Sequence, residues 1–241
     1  MHRALRHSFS PLAACAAAIL LLSACATPIT GGAPGPAADA PSLKVGDRWV
    51  YRGKDGYRVP ILWEETHQIT AIGPDAITVS ITGKGTMGDF QRTETWSAPG
   101  VVRVGAVFET ETDRFEPSMV RFKYPLTPGE TWSQSVRNAD QPRGPYGPIQ
   151  RQVSVGGYES VTTPAGTFDA IRMRIFMQLD DETFWRFPTQ CNYVLWYAPA
   201  VKAWVKQEQR SYYREKDTTS SALVPGQNAT IELVSFTAGG G

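Results

Sequence analysis

Histidine and cysteine are scarce in this 241-residue chain: three of each, most of them near its start. Beyond residue 25 only His67 and Cys191 remain. One of each cannot fill the three or four positions of a zinc site without carboxylates, so no metal centre of that kind is expected. A lone thiol cannot close an internal disulfide, and Cys191 lies in an aromatic stretch where a buried, inert cysteine is the ordinary outcome. A Ser-His-Asp or Cys-His arrangement would have to use His67, whose neighbours Thr66 and Gln68 add nothing diagnostic. His67 is therefore read as a solvated or core-edge strand residue. Net charge is missing too, with 24 Lys+Arg against 23 Asp+Glu. Without a basic cluster, neither nucleic acid nor a polybasic membrane contact is expected. Gly83-Lys84-Gly85 lacks the rest of a phosphate loop, and no cofactor is implied. Of the carboxylate groups, Glu64-Glu65 point to opposite faces of a strand, unlike a glycosidase pair across a cleft. Asp180-Asp181-Glu182 reads as a charged loop. Helical periodicity is absent as well, since no window combines an i, i+3, i+4, i+7 apolar pattern with caps.

What is present begins at the first residue. Residues 1–7 carry Arg3 and Arg6 without an acid, residues 12–22 are a continuous apolar run, and Ser23 and Ala24 follow. These are the basic, apolar and small-residue regions of a secretory signal, and the run is too short to span a bilayer. Leu22-Ser23-Ala24-Cys25 resembles the lipobox of bacterial lipoproteins. The resemblance implies cleavage between Ala24 and Cys25, diacylation of the Cys25 thiol and acylation of its new amino group. Removing residues 1–24 lowers Lys+Arg from 24 to 22 against 23 acids, a mature charge near −1. Acyl chains, at roughly 0.8 kcal/mol per buried CH₂, would then be the membrane attachment. Ala26 stands where enteric-type sorting would need Asp for inner-membrane retention, so an outer-membrane location facing the periplasm is expected.

Residues 25–42 hold the candidate lipidated Cys25 and a stretch of small residues, Gly and Pro, read as a flexible tether. Residues 237–241 read as a disordered tail, leaving a single β domain over 43–236. Segments 47–51, 69–72, 76–81, 101–108, 153–155, 170–176 and 202–207 are rich in β-branched and aromatic residues, several with period-two alternation, and Gly or Pro punctuates the intervals.

Three short patterns recur in the same order. Leu43-Lys-Val-Gly46-Asp47-Arg-Trp49 matches Leu126-Thr-Pro-Gly129-Glu130-Thr-Trp132. Asp75-Ala-Ile77-Thr-Val79-Ser-Ile81 matches Asp169-Ala-Ile171-Arg-Met173-Arg-Ile175, and Trp96-Ser-Ala98-Pro99 matches Trp196-Tyr-Ala198-Pro199. Two related halves, about 43–116 and 126–216, are expected. Pro99-Gly100 suits a type II turn, whereas Ala200 in the second copy predicts a type I or distorted one. Thr163-Pro164-Ala165-Gly166 reads as a hairpin tip.

Val161-Thr-Thr-Pro164-Ala165-Gly166-Thr167-Phe168-Asp169-Ala170, followed by Trp196-Tyr197-Ala198-Pro199, resembles families of bacterial envelope proteins akin to the LolA/LolB-type lipoprotein-carrier fold. The resemblance implies an all-β fold in which a duplicated antiparallel sheet forms an open half barrel. It brings no catalytic residue.

Aromatic side chains are dense for this length, and a curved sheet closing around them would make a dry, ligand-sized pocket. Phe184-Trp185-Arg186-Phe187-Pro188 reads as a rim loop able to touch an apolar partner. Phe184, Trp185, Phe187, Trp196 and Tyr197 are the candidate contact residues. The expected function is a non-catalytic, membrane-anchored lipoprotein binding a lipid or acyl chain on a concave sheet. The alternatives are an assembly lipoprotein that binds another envelope protein and, less favoured, a hydrolase.

Overall fold

The computed structural model describes residues 32–56, 59–107, 112–139, 148–216 and 223–240. Its strands are β1 (Arg48–Asp55), β2 (Ile61–Ile72), β3 (Ile77–Gly85), β4 (Gly88–Ala98), β5 (Val101–Gly105), β6 (Asp113–Val120), β7 (Thr131–Asn138), β8 (Ile149–Thr163), β9 (Gly166–Gln178), β10 (Gln190–Ala198), β11 (Ala203–Tyr213) and β12 (Val224–Thr237). Among the described residues a 3₁₀ turn, Pro199–Val201, is the one helical element. Each strand pairs antiparallel with its neighbour in sequence, and β12 returns to β1. The fold is all-β, in the class expected, but the sheet closes into a barrel where an open half barrel was anticipated.

Closure comes from the seam between β1 and β12, paired from Arg48↔Thr237 to Asp55↔Ala229. The other junction between the halves is thin: among the described residues Phe115↔Asn138 and Glu116↔Arg137 pair β6 with β7, and the Ala139 N–H adds one bond to the Arg114 carbonyl at 2.7 Å. Pro117 has no N–H to extend that ladder. The Gln134 side chain substitutes for it, accepting the Val120 N–H at 2.8 Å and donating to the Ser118 carbonyl at 2.7 Å.

Period-two alternation turns Ile77, Val79 and Ile81 of β3, and Ile171, Met173 and Ile175 of β9, into buried inward faces. The repeated turns are built alike. Gly46 (φ +90°) donates to the Ile69 carbonyl at 2.8 Å and Gly129 (φ +91°) to that of Val155 at 2.9 Å. Ile69 and Val155 return their N–H groups to the carbonyls of Asp47 (2.9 Å) and Glu130 (2.8 Å). The Ala-Pro turns diverge as their residues require. Gly100 takes φ +79°, whereas the copy with Ala200 makes the 3₁₀ turn and shifts the left-handed residue to Lys202 (φ +59°).

Two expectations of disorder are corrected. The described part of the tether is fastened: Ala33 and Tyr158 exchange backbone hydrogen bonds of 2.9 and 2.8 Å, and Ala38 and Leu126 exchange two of 3.0 and 2.8 Å. The Tyr158 hydroxyl also donates to the Pro36 carbonyl at 3.0 Å. Small residues permit this close lie, since a Cβ at Gly35 would stand 2.4 Å from the Tyr158 ring. At the other terminus Thr237 still pairs with Arg48, and the Gly239 N–H donates to Asp47 Oδ1 at 2.8 Å.

One end of the barrel is filled. Trp49 Nε1 donates across the interior to the Val201 carbonyl at 2.7 Å, and Tyr51 stacks on Trp204 with centroids 3.8 Å apart. The tip of the β8–β9 hairpin folds over this end, where the Ala165 N–H meets the Leu233 carbonyl at 3.1 Å. This plug is the floor of the site described next.

Candidate functional site

Above the plug the interior opens into a cavity of about 660 Å³, within the size range of small-molecule sites. It reaches the end of the barrel where β1 meets β2 and β3 meets β4, between Ile61, Leu62, Met87 and Gly88. Its two walls differ in chemistry. Strands of the second half contribute Ile175 and Met177 (β9), Leu195 (β10), and Ala229 and Ile231 (β12). Tyr193 is held there by a 2.7 Å hydrogen bond to Gln227 Oε1.

The first half lines the cavity with ionisable groups. Glu65 Oε1 lies 3.0 Å from His67 Nε2, and Glu65 Oε2 lies 4.0 Å from Arg92 Nη2. Glu94 is bidentate with Arg121, at 3.0 and 3.2 Å, and accepts the Trp96 indole N–H at 2.9 Å. Burial pushes both carboxyls up, but their partners outweigh it. His67 and Arg92 hold Glu65 below the usual carboxylate range, and Arg121 with Trp96 holds Glu94 at about 2.

Arginines of both halves meet these carboxylates in the cavity. Arg92, Arg121 and Arg151 face Glu65 and Glu94, with Asp55 out at the mouth. Arg151 is 4% exposed and has backbone carbonyls as its hydrogen-bond partners, those of Val120 (2.6 Å) and Arg121 (3.3 Å). Burial, then the neighbouring Arg121, pulls its guanidinium down to about 9, which leaves it charged at neutral pH. The Nε of Arg92 is buried without a hydrogen-bond partner among the described residues.

The open end also carries exposed apolar side chains. Met87 is 80% exposed in the β3–β4 turn and Phe184 is 88% exposed in the β9–β10 loop, with Ile61, Leu62, Trp185 and Phe187 also exposed. That loop is held in place. Asp181 accepts Arg186 Nη2 (2.8 Å), the Thr189 N–H (2.7 Å) and the Thr189 hydroxyl (2.7 Å). Backbone bonds from Phe187 to Arg214 and from Lys216 to Trp185, each 2.8 Å, tie its far side to the end of β11. The acidic triplet is thus a loop staple.

The five candidate contact residues do not come together. Phe184, Trp185 and Phe187 lie at the open end, outside the cavity wall. Trp196 and Tyr197 are core residues of the other end, which corrects their reading as contacts. Trp196 is tied to Glu159 Oε2 at 2.8 Å, and Tyr197 packs against Phe122 and Tyr124 with centroids 5.3 and 5.8 Å away. The two rings lie on opposite faces of β10, Trp196 level with Arg172 and Tyr197 with Ile171 of β9, and both are packed. Ala24 and Cys25 lie outside the described residues. Cys191 is buried in the apolar core, which pushes its thiol up to about 12.

Sequence reading passed over the charged wall. Its signal was available: Trp63-x-Glu65-x-His67-x-Ile69 and Phe90-x-Arg92-x-Glu94-x-Trp96 place ionisable groups on the same strand face as large apolar ones. A face bounded by Trp and Ile points inward, so the charges between them do as well.

Fold and site together define an up-and-down barrel plugged at one end and opening at the other into an amphipathic cavity. No family model matches the chain, and no curated protein matches it. Among solved structures it is similar to a candidate lipoprotein from Parabacteroides distasonis, at 14% identity and a TM-score of 0.47, covering 84% of this chain and 100% of that one. It is also similar to a candidate exported protein with a YmcC-like fold from Bacteroides fragilis, at 12% identity and a TM-score of 0.40, with the same coverage.

Proposed function

We propose that this protein is a non-catalytic envelope lipoprotein, anchored through acyl chains on Cys25 in the outer membrane facing the periplasm, that binds an apolar chain inside its barrel. The observation that supports this reading is the cavity itself. An assembly factor that works by its outer surface has no use for about 660 Å³ of interior space beside Ile175, Met177, Leu195 and Ile231. Exposed Ile61, Leu62 and Met87 at the mouth give a chain an apolar path from outside to inside. The His67–Glu65 pair has no serine, threonine or cysteine nucleophile beside it in the described lining, and the Tyr193 hydroxyl there is bonded to Gln227.

The anchor and the barrel would be close together. Ala33 is already bound to the barrel, and the eight residues 25–32 can span at most about 29 Å. Native mass spectrometry of the gently extracted full-length protein tests the binding reading, with co-purifying lipid expected. Absence of any lipid, together with no uptake of a fluorescent fatty acid, overturns it. The exposed Phe184, Trp185 and Phe187, fixed outside the cavity, favour a protein partner as the second reading, and cross-linking at those positions then becomes the next measurement.

A further inference from the structure

The cavity is not uniformly apolar, and its polar groups are unevenly paired. Three guanidiniums line it, with Glu65 and Glu94 among them and Asp55 at the mouth. Glu94 is fully engaged by Arg121 and Trp96. Glu65 makes its close contact with His67 and is 4.0 Å from Arg92. Among the described residues one guanidinium, that of Arg151, has no carboxylate beside it, and one further donor is unused. Arg151 is buried with backbone carbonyls in place of a counter-ion, and Arg92 keeps a buried Nε donor with no partner among the described residues. A buried cation without a counter-charge and a buried donor without an acceptor are both costly. An anion entering the cavity would relieve both.

Resting on the cavity-binding reading, we propose that the ligand is an amphiphile with an anionic head group, a carboxylate or a phosphate monoester. Its head lies against the Arg92, Arg121 and Arg151 wall and its chain along Ile175, Met177, Leu195 and Ile231. The chemistry matches on both sides. Guanidinium offers a planar fork of donors suited to carboxylate and phosphate oxygens, and burial strengthens such a bond relative to water. The facing wall gives a hydrocarbon chain carbon and sulfur contacts from Ile175, Met177, Leu195 and Ile231, alongside the amides of Gln207, Gln209 and Gln227 and the Tyr193 hydroxyl, which is committed to Gln227. A neutral lipid would fill the same volume and leave Arg151 and the Arg92 Nε as they are.

The test compares hexadecanoate, hexadecyl phosphate and hexadecanol on the full chain, delipidated and held in amphipol, by displacement of a fluorescent fatty acid. At least one of the two anions is expected to bind about tenfold or more tightly than the alcohol, the scale of one charge-assisted hydrogen bond. Arg151→Met and, separately, Arg92→Gln should shrink that preference while leaving hexadecanol affinity within about twofold. Arg92→Gln serves if the buried Arg151→Met fails to fold. If all three ligands bind wild type equally, the head-group assignment is wrong and the cavity-binding reading stands. If none binds, both fall.

Discussion

The two halves of the barrel share a plan and differ in what they turn inward. Strands β1 to β6 and β7 to β12 begin with the same glycine turn, bonded to the following strand at 2.8 and 2.9 Å. At cavity level, however, the first half presents Glu65, His67, Arg92 and Glu94, and the second presents Ile175, Met177, Leu195 and Ile231, with Arg151 its ionised exception. Pleating fixes which positions point inward and leaves their chemistry free. A repeated scaffold can therefore enclose an asymmetric interior, and here the carboxylates lie in the first half.

The largest effect should come from breaking the charged wall. Glu94→Ala leaves the half-buried Arg121 beside Trp96 without its bidentate partner. Breaking a buried pair from one side costs about 3–5 kcal/mol, and urea unfolding at pH 7 should show it. The pH dependence has a definite sign. Glu94 is held at about 2 in the folded chain and lies near 4.3 when unfolded. Its stabilisation is present above the unfolded value and is lost as pH falls from there towards 2. The gap between wild type and the variant should narrow over that window. A gap of equal size at pH 7 and pH 3 would show that the pair contributes nothing through charge.

The matched turns allow a sharper contrast. Asp47 is fully buried and accepts the Lys44 N–H at 2.8 Å, the Gly239 N–H at 2.8 Å and Lys202 Nζ at 2.9 Å. Its counterpart Glu130 pairs with Lys123 near the surface, the two side chains 28% and 53% exposed. Asp47→Asn should cost about 1.5–3 kcal/mol, the scale of hydrogen bonds to a charged group. Glu130→Gln should cost under about 1 kcal/mol and less at high salt. Equal losses, measured by urea unfolding, would mean that the two turns bear equal load.

How much of this was legible follows from the same physics. The β class was readable where inward positions are uniformly apolar, as in Ile77-x-Val79-x-Ile81 and Ile171-x-Met173-x-Ile175. The repeated Leu-x-x-Gly-acid-x-Trp turns were readable because a glycine with positive φ has few substitutes. Strand β4 was hidden, since Arg92 and Glu94 occupy inward positions and break the apolar alternation. Closure was hidden too, because it depends on β1 meeting β12 across the whole chain, a pairing that no local pattern records. The exposed aromatic loop was anticipated at 184–187, but the packed role of Tyr197 depends on Phe122 and Tyr124 and that of Trp196 on Glu159, all distant in sequence.

The apolar wall can be challenged without touching the charges. Ala229 faces the cavity from β12, opposite Gln209 on β11 and Asp55 on β1. Ala229→Phe should occupy space that a ligand chain would use. Each displaced methylene costs about 0.8 kcal/mol, so two displaced groups lower fatty-acid affinity about tenfold. The melting temperature should stay within a few degrees, because the ring enters open volume and not packed core. Unchanged uptake in a folded variant would place the chain elsewhere.

The smallest effect is the most direct comparison of the halves. Gly46 and Gly129 take nearly the same left-handed conformation, φ +90° and +91°, so alanine at either position costs about 1 kcal/mol in backbone strain. Their surroundings differ. A Cβ at Gly129 meets nothing within 4 Å, whereas one at Gly46 comes within 3.3 Å of the Gly239 backbone. Gly239 is the residue whose N–H the buried Asp47 accepts, so displacing it loosens that cluster as well. Gly46→Ala should therefore lose more than Gly129→Ala, by several tenths of a kcal/mol in paired urea titrations. Truncating the chain after residue 237 should erase the difference, because the atom that makes the two turns unequal is then gone.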